Sequence, residues 1–331
     1  MYITIITPAG QGSKAGNRAT AERWQRLLVQ AGYCVSVVTE YKGEHCDLLL
    51  ALHAWRSHEA IRIFEKFWPD KPLIVALTGT DIYRHQQEYP EQTLHSMQAA
   101  DALIGLHANV GDDIPERFRE KLLTLYQSAE PPAGYRKPPG NAETSADTFE
   151  VCVIGHLRDE KDSLRAAFAS RLLSPGSRIR VSCAGKPHNR NWQTLAEQEM
   201  QSNPRFRWLG ELEKAEALQL MVRSQVLVMS SVMEGGANVI SEACRAGLPV
   251  IASDIPGNIG LLGEDYAGYY PVGDTHSLAA LMERTEQDNG FLQLLRRQVD
   301  QLAGLFTPEN EQASLEQAVS LALKRCSGKA F

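Results

Sequence analysis

The chain has 331 residues, of which 43% are hydrophobic and 22% charged, and its formal net charge at pH 7 is −6. This length favours two domains over one, and the composition is that of a chain with large buried cores. The acidic balance argues against a nucleic-acid partner, and no apolar run approaches the length that a membrane span requires.

The first part of the chain alternates between short apolar strands and helices. The opening strand is YITIIT, and beyond a Gly-rich loop the spacing of Ala21, Trp24 and Leu27 predicts a helix that ends at Gly32. Four further strands are predicted: CVSVVTE, CDLLLALH, PLIVALTG and ADALIGLH. Because each is apolar on both faces and helices lie between them, the pattern predicts a doubly wound parallel sheet.

A proline-rich stretch, EPPAGYRKPPGNAETSAD, interrupts this alternation and is predicted to be a linker. After it the strands FEVCVIGHL, RIRVSCAGK, RFRWLGEL, QVLVMSSV and LPVIASD repeat the pattern. We therefore predict an α/β protein with domains at residues 1–130 and 149–305, a linker at 131–148, and a C-terminal helix within 306–331 that packs back on the first domain. Ligands are expected between the two domains, at the carboxyl ends of the strands.

The loop MEGGAN, between the strand QVLVMSSV and a helix predicted over residues 237–246, carries a candidate ligand site. Its glycines let the backbone approach a ligand closely, and the free N–H groups of the helix start favour a diphosphate. Glu234 on the loop could reach sugar hydroxyls, and Glu242 in the helix could accept hydrogen bonds from a ribose diol. The alternative is a plain turn with two solvated glutamates. The predicted donor-binding residues are Gly155, Gly235, Gly236, Ala237, Asn238 and Glu242.

The run S-x-x-E-G-G-x-x-x-x-x-E-A-x-x-x-G-x-P-V-I-A-S resembles the two-glutamate region of the large retaining, family 4-like glycosyltransferases of GT-B fold. The resemblance implies two Rossmann-like domains facing a central cleft and a nucleotide-sugar donor. It places Glu234 beside the donor sugar and Glu242 on the nucleotide ribose. The segment GHLRDEK also resembles the family's G-R-L-x-x-x-K, which makes Lys161 the partner of the donor diphosphate. His156 replaces the family's arginine, so we expect Arg158 to assist Lys161, with His156 as the alternative.

The first domain offers a second candidate site, for an anionic acceptor, where the Gly-rich loop TPAGQGSKAGNRATAERW enters its helix. The alternative is a set of solvated charges with Asn17 as a helix cap. The turn TGTD is a further candidate, whereas the lone histidines His53 and His107 at strand ends are more often structural. The predicted acceptor-binding residues are Ser13, Lys14, Gly16, Asn17, Arg18, Thr20, Thr80 and Asp81.

This loop, together with YKGEHCDLLLALHA and ALTGTDIYR, resembles the selenosugar synthases of selenoneine biosynthesis, one branch of the same family. That resemblance implies transfer of a sugar from UDP-GlcNAc or UDP-glucose to selenophosphate, giving a 1-seleno sugar, UDP and phosphate. Alternatives are a GT-B hexosyltransferase acting on an alcohol or thiol, and a non-catalytic sugar-nucleotide sensor. A dinucleotide oxidoreductase is disfavoured, because no G-x-G-x-x-G opens the first strand–helix unit.

The remaining features bear on location and cofactors. The six cysteines are scattered without a CxxC pair, and the chain starts on a strand without an export signal, which favours the cytoplasm. No cysteine or histidine cluster has zinc-ligand spacing, and no DxD-type motif stands in a suitable loop. We therefore expect metal-independent transfer with no cofactor beyond the UDP-sugar co-substrate. The sugar, the stereochemical outcome and the oligomeric state are left open.

Overall fold

The computed structural model describes residues 1–10, 12, 16–130 and 148–328. The chain divides into two compact units. Unit 1 comprises Met1–Ser128 together with Thr307–Phe331, and unit 2 comprises Ala129–Phe306. Almost all of the predicted linker, residues 131–147, lies outside the described residues.

Unit 1 is built on a six-stranded parallel sheet of order β2-β1-β3-β4-β5-β6. Its strands are β1 (Tyr2–Ile6), β2 (Cys34–Val38), β3 (Leu48–Leu52), β4 (Leu73–Leu77), β5 (Ala102–Gly105) and β6 (Leu122–Thr124). Its helices up to this point are α1 (Gly16–Gln30), α2 (His58–Phe67), α3 (Gln86–Glu88), α4 (Pro90–Ala99) and α5 (Val110–Asp113). The five predicted strands are confirmed. β6 was not predicted, because three residues are too few to show a strand pattern.

Burial explains why these segments form strands. Every residue of β3 and β4 is buried, and apolar clusters cover the sheet on both faces. The fully buried Trp24 of α1 packs in one of these clusters. The strand order reverses between β1 and β3, so the loops that follow these two strands leave the sheet on opposite faces and open a crevice at its carboxyl edge.

Unit 2 contains a second six-stranded parallel sheet, of order β12-β11-β10-β7-β8-β9. Its strands are β7 (Phe149–Ile154), β8 (Ile179–Ala184), β9 (Phe206–Trp208), β10 (Val226–Met229), β11 (Val250–Ser253) and β12 (Tyr269–Tyr270). Its helices are α6 (Arg165–Ser170), α7 (Arg190–Ser202), α8 (Lys214–Arg223), α9 (Asn238–Ala246), α10 (Pro256–Leu262), α11 (Thr275–Gln287) and α12 (Asn289–Leu302). This is the strand order of dinucleotide-binding sheets, with its switch point between β7 and β10.

The last helix, α13 (Pro308–Ser327), belongs to unit 1, where it packs against α1 and β5. Its Glu311 is fully buried and accepts hydrogen bonds from Trp24 Nε1 at 2.7 Å and from Arg23 Nε at 2.9 Å. The backbone N–H of Ser128 donates to the same carboxylate at 2.8 Å. Because a buried carboxylate requires such partners, Glu311 fixes where α13 lies on the unit. Among the described residues, no helix is both long enough and apolar enough to cross a bilayer.

Candidate active site

The loops that follow β7 and β10 lie side by side at the switch point of unit 2. The backbone N–H of Val232 donates to the carbonyl oxygen of Glu160 at 2.9 Å. Ser230 Oγ donates to the carbonyl oxygen of Asp162, also at 2.9 Å. These hydrogen bonds bring the two predicted motifs together, although 73 residues separate Lys161 from Glu234 in the chain.

Lys161 and Glu234 form an ion pair across these loops, with Lys161 Nζ donating to Glu234 Oε1. Ser231 Oγ donates to the same oxygen at 2.6 Å. The lysine side chain is 19% exposed and the glutamate side chain 8% exposed. The pair is therefore largely shielded from water, and its charges interact more strongly than they would in solvent. The ammonium group is still partly exposed to solvent.

The last residue of β11 and the segment after it pack against the loop that carries Glu234. A Cβ atom on Gly257 would lie 2.2 Å from the carbonyl oxygen of Glu234, so only glycine allows this approach. Ser253 Oγ donates to the carbonyl oxygen of Ser231, and Asn258 Nδ2 donates to that of Ser253 at 3.0 Å. Gly257 and Asn258 were not predicted, because a Pro-Gly-Asn turn at a helix start is common in any protein.

The loop after β7 holds Lys161 against its own first residue. A Cβ atom on Gly155 would lie 3.8 Å from Lys161 Cδ, so the lysine stem runs along this glycine. A Cβ atom on Gly185, after β8, would lie only 1.9 Å from the carbonyl oxygen of Gly155. Gly185 was not predicted, and it is what lets the loop after β8 pack beneath this one.

Arg158 and His156 both lie in the charge environment of Lys161. Arg158 Nε is 3.8 Å from Glu160 Oε2, so the nearest carboxylate to the arginine belongs to its own loop. The pKa of His156 is lowered by burial first, and then by the positive charges of Arg158 and Lys161. The role of Arg158 as the assistant of Lys161 remains a prediction.

The predicted helix after the two glycines is present as α9 and begins at Asn238, with Ala237 as the N-cap residue. Its predicted buried stripe of Ile240, Ala243 and Cys244 is confirmed. Asn238 and Glu242 are partly exposed, whereas Gly235 is buried. Because α9 follows the loop that carries Glu234, its first turn lies at the same edge of the sheet as the ion pair. Ligand contacts of these residues remain predictions.

In unit 1, Asp81 holds the backbone and does not face a ligand. The carboxylate is fully buried and accepts the N–H groups of Thr78 at 2.9 Å, Gly79 at 2.7 Å and Ala54 at 3.0 Å. A fourth N–H, from Ile82, lies at 3.2 Å. The prediction that Asp81 contacts the acceptor is therefore corrected, because backbone amides occupy its oxygens and solvent does not reach them. The neighbouring Thr80 is partly exposed.

The entry of α1 holds the other predicted acceptor residues, and Ser13 and Lys14 lie outside the described residues. Thr20 is buried, and its Oγ1 accepts a hydrogen bond from Gln127 Nε2 at 2.6 Å, so the prediction that it contacts an acceptor is corrected to a structural role. Arg18 Nε donates to Glu22 Oε1 at 2.6 Å. Gly16 is exposed and Asn17 partly exposed, as an anion site at this helix start requires.

A hydrogen-bonded group beside β5 was not predicted as a unit. Tyr83 Oη lies 2.8 Å from His107 Nε2 and donates to Asp113 Oδ2 at 2.9 Å. The backbone N–H of Asn109 donates to His107 Nδ1, so the imidazole proton is on Nε2 and points at the tyrosine. Burial lowers the pKa of His107 to about 4 and raises the pKa values of Tyr83 and Asp113. This histidine has the structural role expected of a lone one.

Among the described residues, no three His, Cys, Asp or Glu side chains gather as ligands of a metal would. The charged groups at the switch point of unit 2 are an ammonium and a carboxylate already in contact. A ligand bound there meets both charges at once.

Comparison with known proteins identifies the family. Residues 140–324, more than half of the chain, match the model of the glycosyl transferases group 1. The chain belongs to this family. Glycogen synthase from Mycobacterium tuberculosis is 26% identical over 249 residues, which are 72% of this chain and 58% of the relative. The chain thus spans little more than half the length of that curated relative.

Solved structures share the fold of this group 1 family member. HepE from Anabaena, in complex with UDP and glucose, superposes with a TM-score of 0.76 at 15% identity, covering 97% of this chain and 99% of HepE. Sucrose-phosphate synthase from Thermosynechococcus elongatus gives a TM-score of 0.73 at 16% identity, covering 96% and 98% of the two chains. The predicted fold class, GT-B with two Rossmann-like doubly wound domains, is confirmed.

Proposed function

We propose that this protein is a glycosyltransferase that transfers a sugar from UDP-glucose or UDP-GlcNAc to selenophosphate, as in selenoneine biosynthesis. The observation that carries the donor half is the contact between Lys161 and Glu234 at the switch point of unit 2. Membership of the group 1 family supports sugar transfer. HepE, which has the same fold, is described in complex with UDP and glucose, which supports a UDP-sugar donor.

In the donor half, negative charge develops on the leaving diphosphate as the anomeric C–O bond breaks. Lys161, assisted by Arg158 and by the N–H groups at the start of α9, stabilises that charge. We place Glu234 beside the donor sugar, and its contact with the Lys161 ammonium group supports this position. Glu242, one turn further along α9, receives hydrogen bonds from the ribose hydroxyls.

In the acceptor half, ionised selenium of selenophosphate forms a bond to the anomeric carbon while UDP leaves. Water then cleaves the Se–P bond, which gives the 1-seleno sugar and phosphate. An ionised selenium nucleophile needs little help from a general base. The acceptor is proposed to bind near Gly16, Asn17 and Arg18 at the entry of α1, with Ser13 and Lys14, and at Thr80.

The test is incubation of the purified protein with each UDP-sugar and selenophosphate, followed by mass spectrometry of the products. We expect a 1-seleno sugar, UDP and phosphate, formed also in the presence of a strong chelator. Transfer to an alcohol or thiol without selenophosphate would establish the hexosyltransferase alternative. UDP-sugar binding without any turnover would establish a sensor.

A further inference from the structure

His53, the residue that follows β3, has an unusual backbone conformation. Its φ of +77° lies in the left-handed region, which residues other than glycine rarely adopt. Its N–H donates to the carbonyl oxygen of Ala76 at 2.8 Å, and its carbonyl oxygen accepts the N–H of Ser57 at 3.1 Å. Asp81 accepts the N–H of the next residue, Ala54. The surroundings therefore hold His53 in a conformation that it would not adopt alone.

The hydrogen bonds of the ring determine its tautomer. The backbone N–H of Arg56 donates to His53 Nδ1 at 3.2 Å, so this nitrogen carries no proton. In the neutral ring the proton is therefore on Nε2, which lies 2.9 Å from Thr80 Oγ1 and donates to it. Burial lowers the pKa of His53 and so favours the neutral ring, while the Asp81 carboxylate, 3.9 Å from Nδ1, acts in the opposite direction.

Aromatic neighbours prevent the ring from turning away. His85 lies 5.2 Å from the His53 ring, between centroids, and stacks on Trp55 at 4.2 Å. Tyr89 stacks on the same Trp55 ring at 4.5 Å. Asp81 and His85 both belong to one π-helical turn, a rare conformation that often occurs at functional sites.

The hydrogen bond from His53 orients the hydroxyl group of Thr80. Among the described residues, Thr80 Oγ1 has His53 Nε2 as its hydrogen-bond partner, and that partner donates. The hydroxyl keeps its own proton for a group outside the protein, because His53 occupies one of its acceptor positions. His53 is only 1% exposed, whereas Thr80 is partly exposed, so a ligand reaches the hydroxyl and not the ring. The exposed Arg56 adds a positive charge near the His53 ring.

We infer that His53 is a positioning residue, which holds the Thr80 hydroxyl as a fixed hydrogen-bond donor to an oxyanion oxygen of the acceptor. The inference rests on the proposed function, since the acceptor is taken to be an anion such as selenophosphate. It adds a residue that a pattern search discards as a buried structural histidine. It also explains why a strained backbone is kept at the carboxyl edge of the sheet.

The experiment compares acceptor kinetics and binding in Thr80→Val, Thr80→Ser, His53→Ala and His53→Gln. A hydrogen bond to a charged oxygen corresponds to roughly a 10- to 100-fold change in affinity. We expect Thr80→Val and His53→Ala each to raise the KM for selenophosphate by about that factor, with kcat changed much less. The double variant Thr80→Val/His53→Ala should raise the KM for selenophosphate no further than either single variant does, because both changes remove the same interaction. Thr80→Ser and His53→Gln, which keep the hydroxyl and the donor, should lose less.

The controls separate positioning from a loss of structure. Thr124→Val, at an exposed threonine on β6, is the matched variant, and calorimetric UDP affinity is measured for every protein. Nitrogen-15 NMR of the wild-type His53 ring reports the tautomer directly. A proton on Nδ1, or additive losses in the double variant, would overturn the inference.

Binding of thiophosphate, measured by calorimetry without any donor, separates this inference from the proposed function. If wild-type protein binds thiophosphate and Thr80→Val does not, the inference holds even where no selenium transfer is found. If wild-type protein and Thr80→Val bind thiophosphate equally, or neither binds it, the inference is wrong. Absence of transfer with thiophosphate binding intact contradicts only the proposed function.

Discussion

The two sheets of this protein use a carboxylate at their carboxyl edges in opposite ways. In unit 2, Glu234 contacts the ammonium group of Lys161, and this pair is partly exposed to solvent. In unit 1, Asp81 is fully buried and accepts four backbone N–H groups, so its charge is used within the protein. The first arrangement leaves a charged pair that solvent reaches, as the proposed donor site requires. The second uses a charge to hold the loop that carries Thr80.

The largest effect is expected at Asp81, where the comparison predicts a loss of stability. Replacing Asp81 with Ala leaves buried N–H groups of Thr78, Gly79 and Ala54 without their acceptor. Each such group costs about 1–3 kcal/mol, so we expect the free energy of unfolding, measured in urea titrations, to fall by about 3 kcal/mol or more. Asp81→Asn, which keeps one acceptor oxygen, should lose less. If Asp81→Ala were as stable as the wild-type protein, its carboxylate would be free for a ligand after all.

The next effect is expected at Lys161, where the comparison predicts a loss of turnover. Lys161→Ala removes the charge that meets the leaving diphosphate, so kcat should fall by about 10²–10³-fold. Lys214→Ala, at an exposed lysine at the start of α8, is the control in steady-state assays with a UDP-sugar. A variant that only raises the donor KM would assign Lys161 to ground-state binding alone.

Sequence patterns predicted the sheets well, because period and composition report burial. All ten predicted strands are present, and the missed β6 and β12 have three and two residues. Patterns could not separate Asp81 from Glu234, since each acid stands in a Gly-containing loop after a buried strand. What distinguishes them is which backbone N–H groups the fold brings near, such as that of Ala54, 27 residues before Asp81. The same limit applies to Thr20, whose partner Gln127 is 107 residues away.

A pH titration of stability tests whether the buried His107 is neutral in the folded protein. Unfolded His107 takes up a proton near pH 6.5, whereas burial lowers the pKa of the folded residue to about 4. The unfolded state therefore binds more protons, and a contribution of about 3 kcal/mol, complete above pH 6.5, is lost as the pH falls towards 4. Urea titrations at pH 7 and 4.5 should show a flatter pH dependence for His107→Asn than for wild type. The exposed His95→Asn variant should keep the wild-type slope, and an equal slope in both would contradict the expectation.

The smallest effect is expected at Glu242, the second glutamate of the proposed donor site. Its replacement tests whether that site extends along α9. If the carboxylate receives charged hydrogen bonds from ribose hydroxyls, Glu242→Ala should weaken UDP binding by roughly 1.5–3 kcal/mol. Calorimetry with UDP alone isolates this contact from catalysis. Glu197→Ala, at an exposed glutamate of α7, is the matched control. Unchanged UDP affinity would confine the ligand-facing charge of unit 2 to the Lys161–Glu234 pair and remove Glu242 from the proposed site.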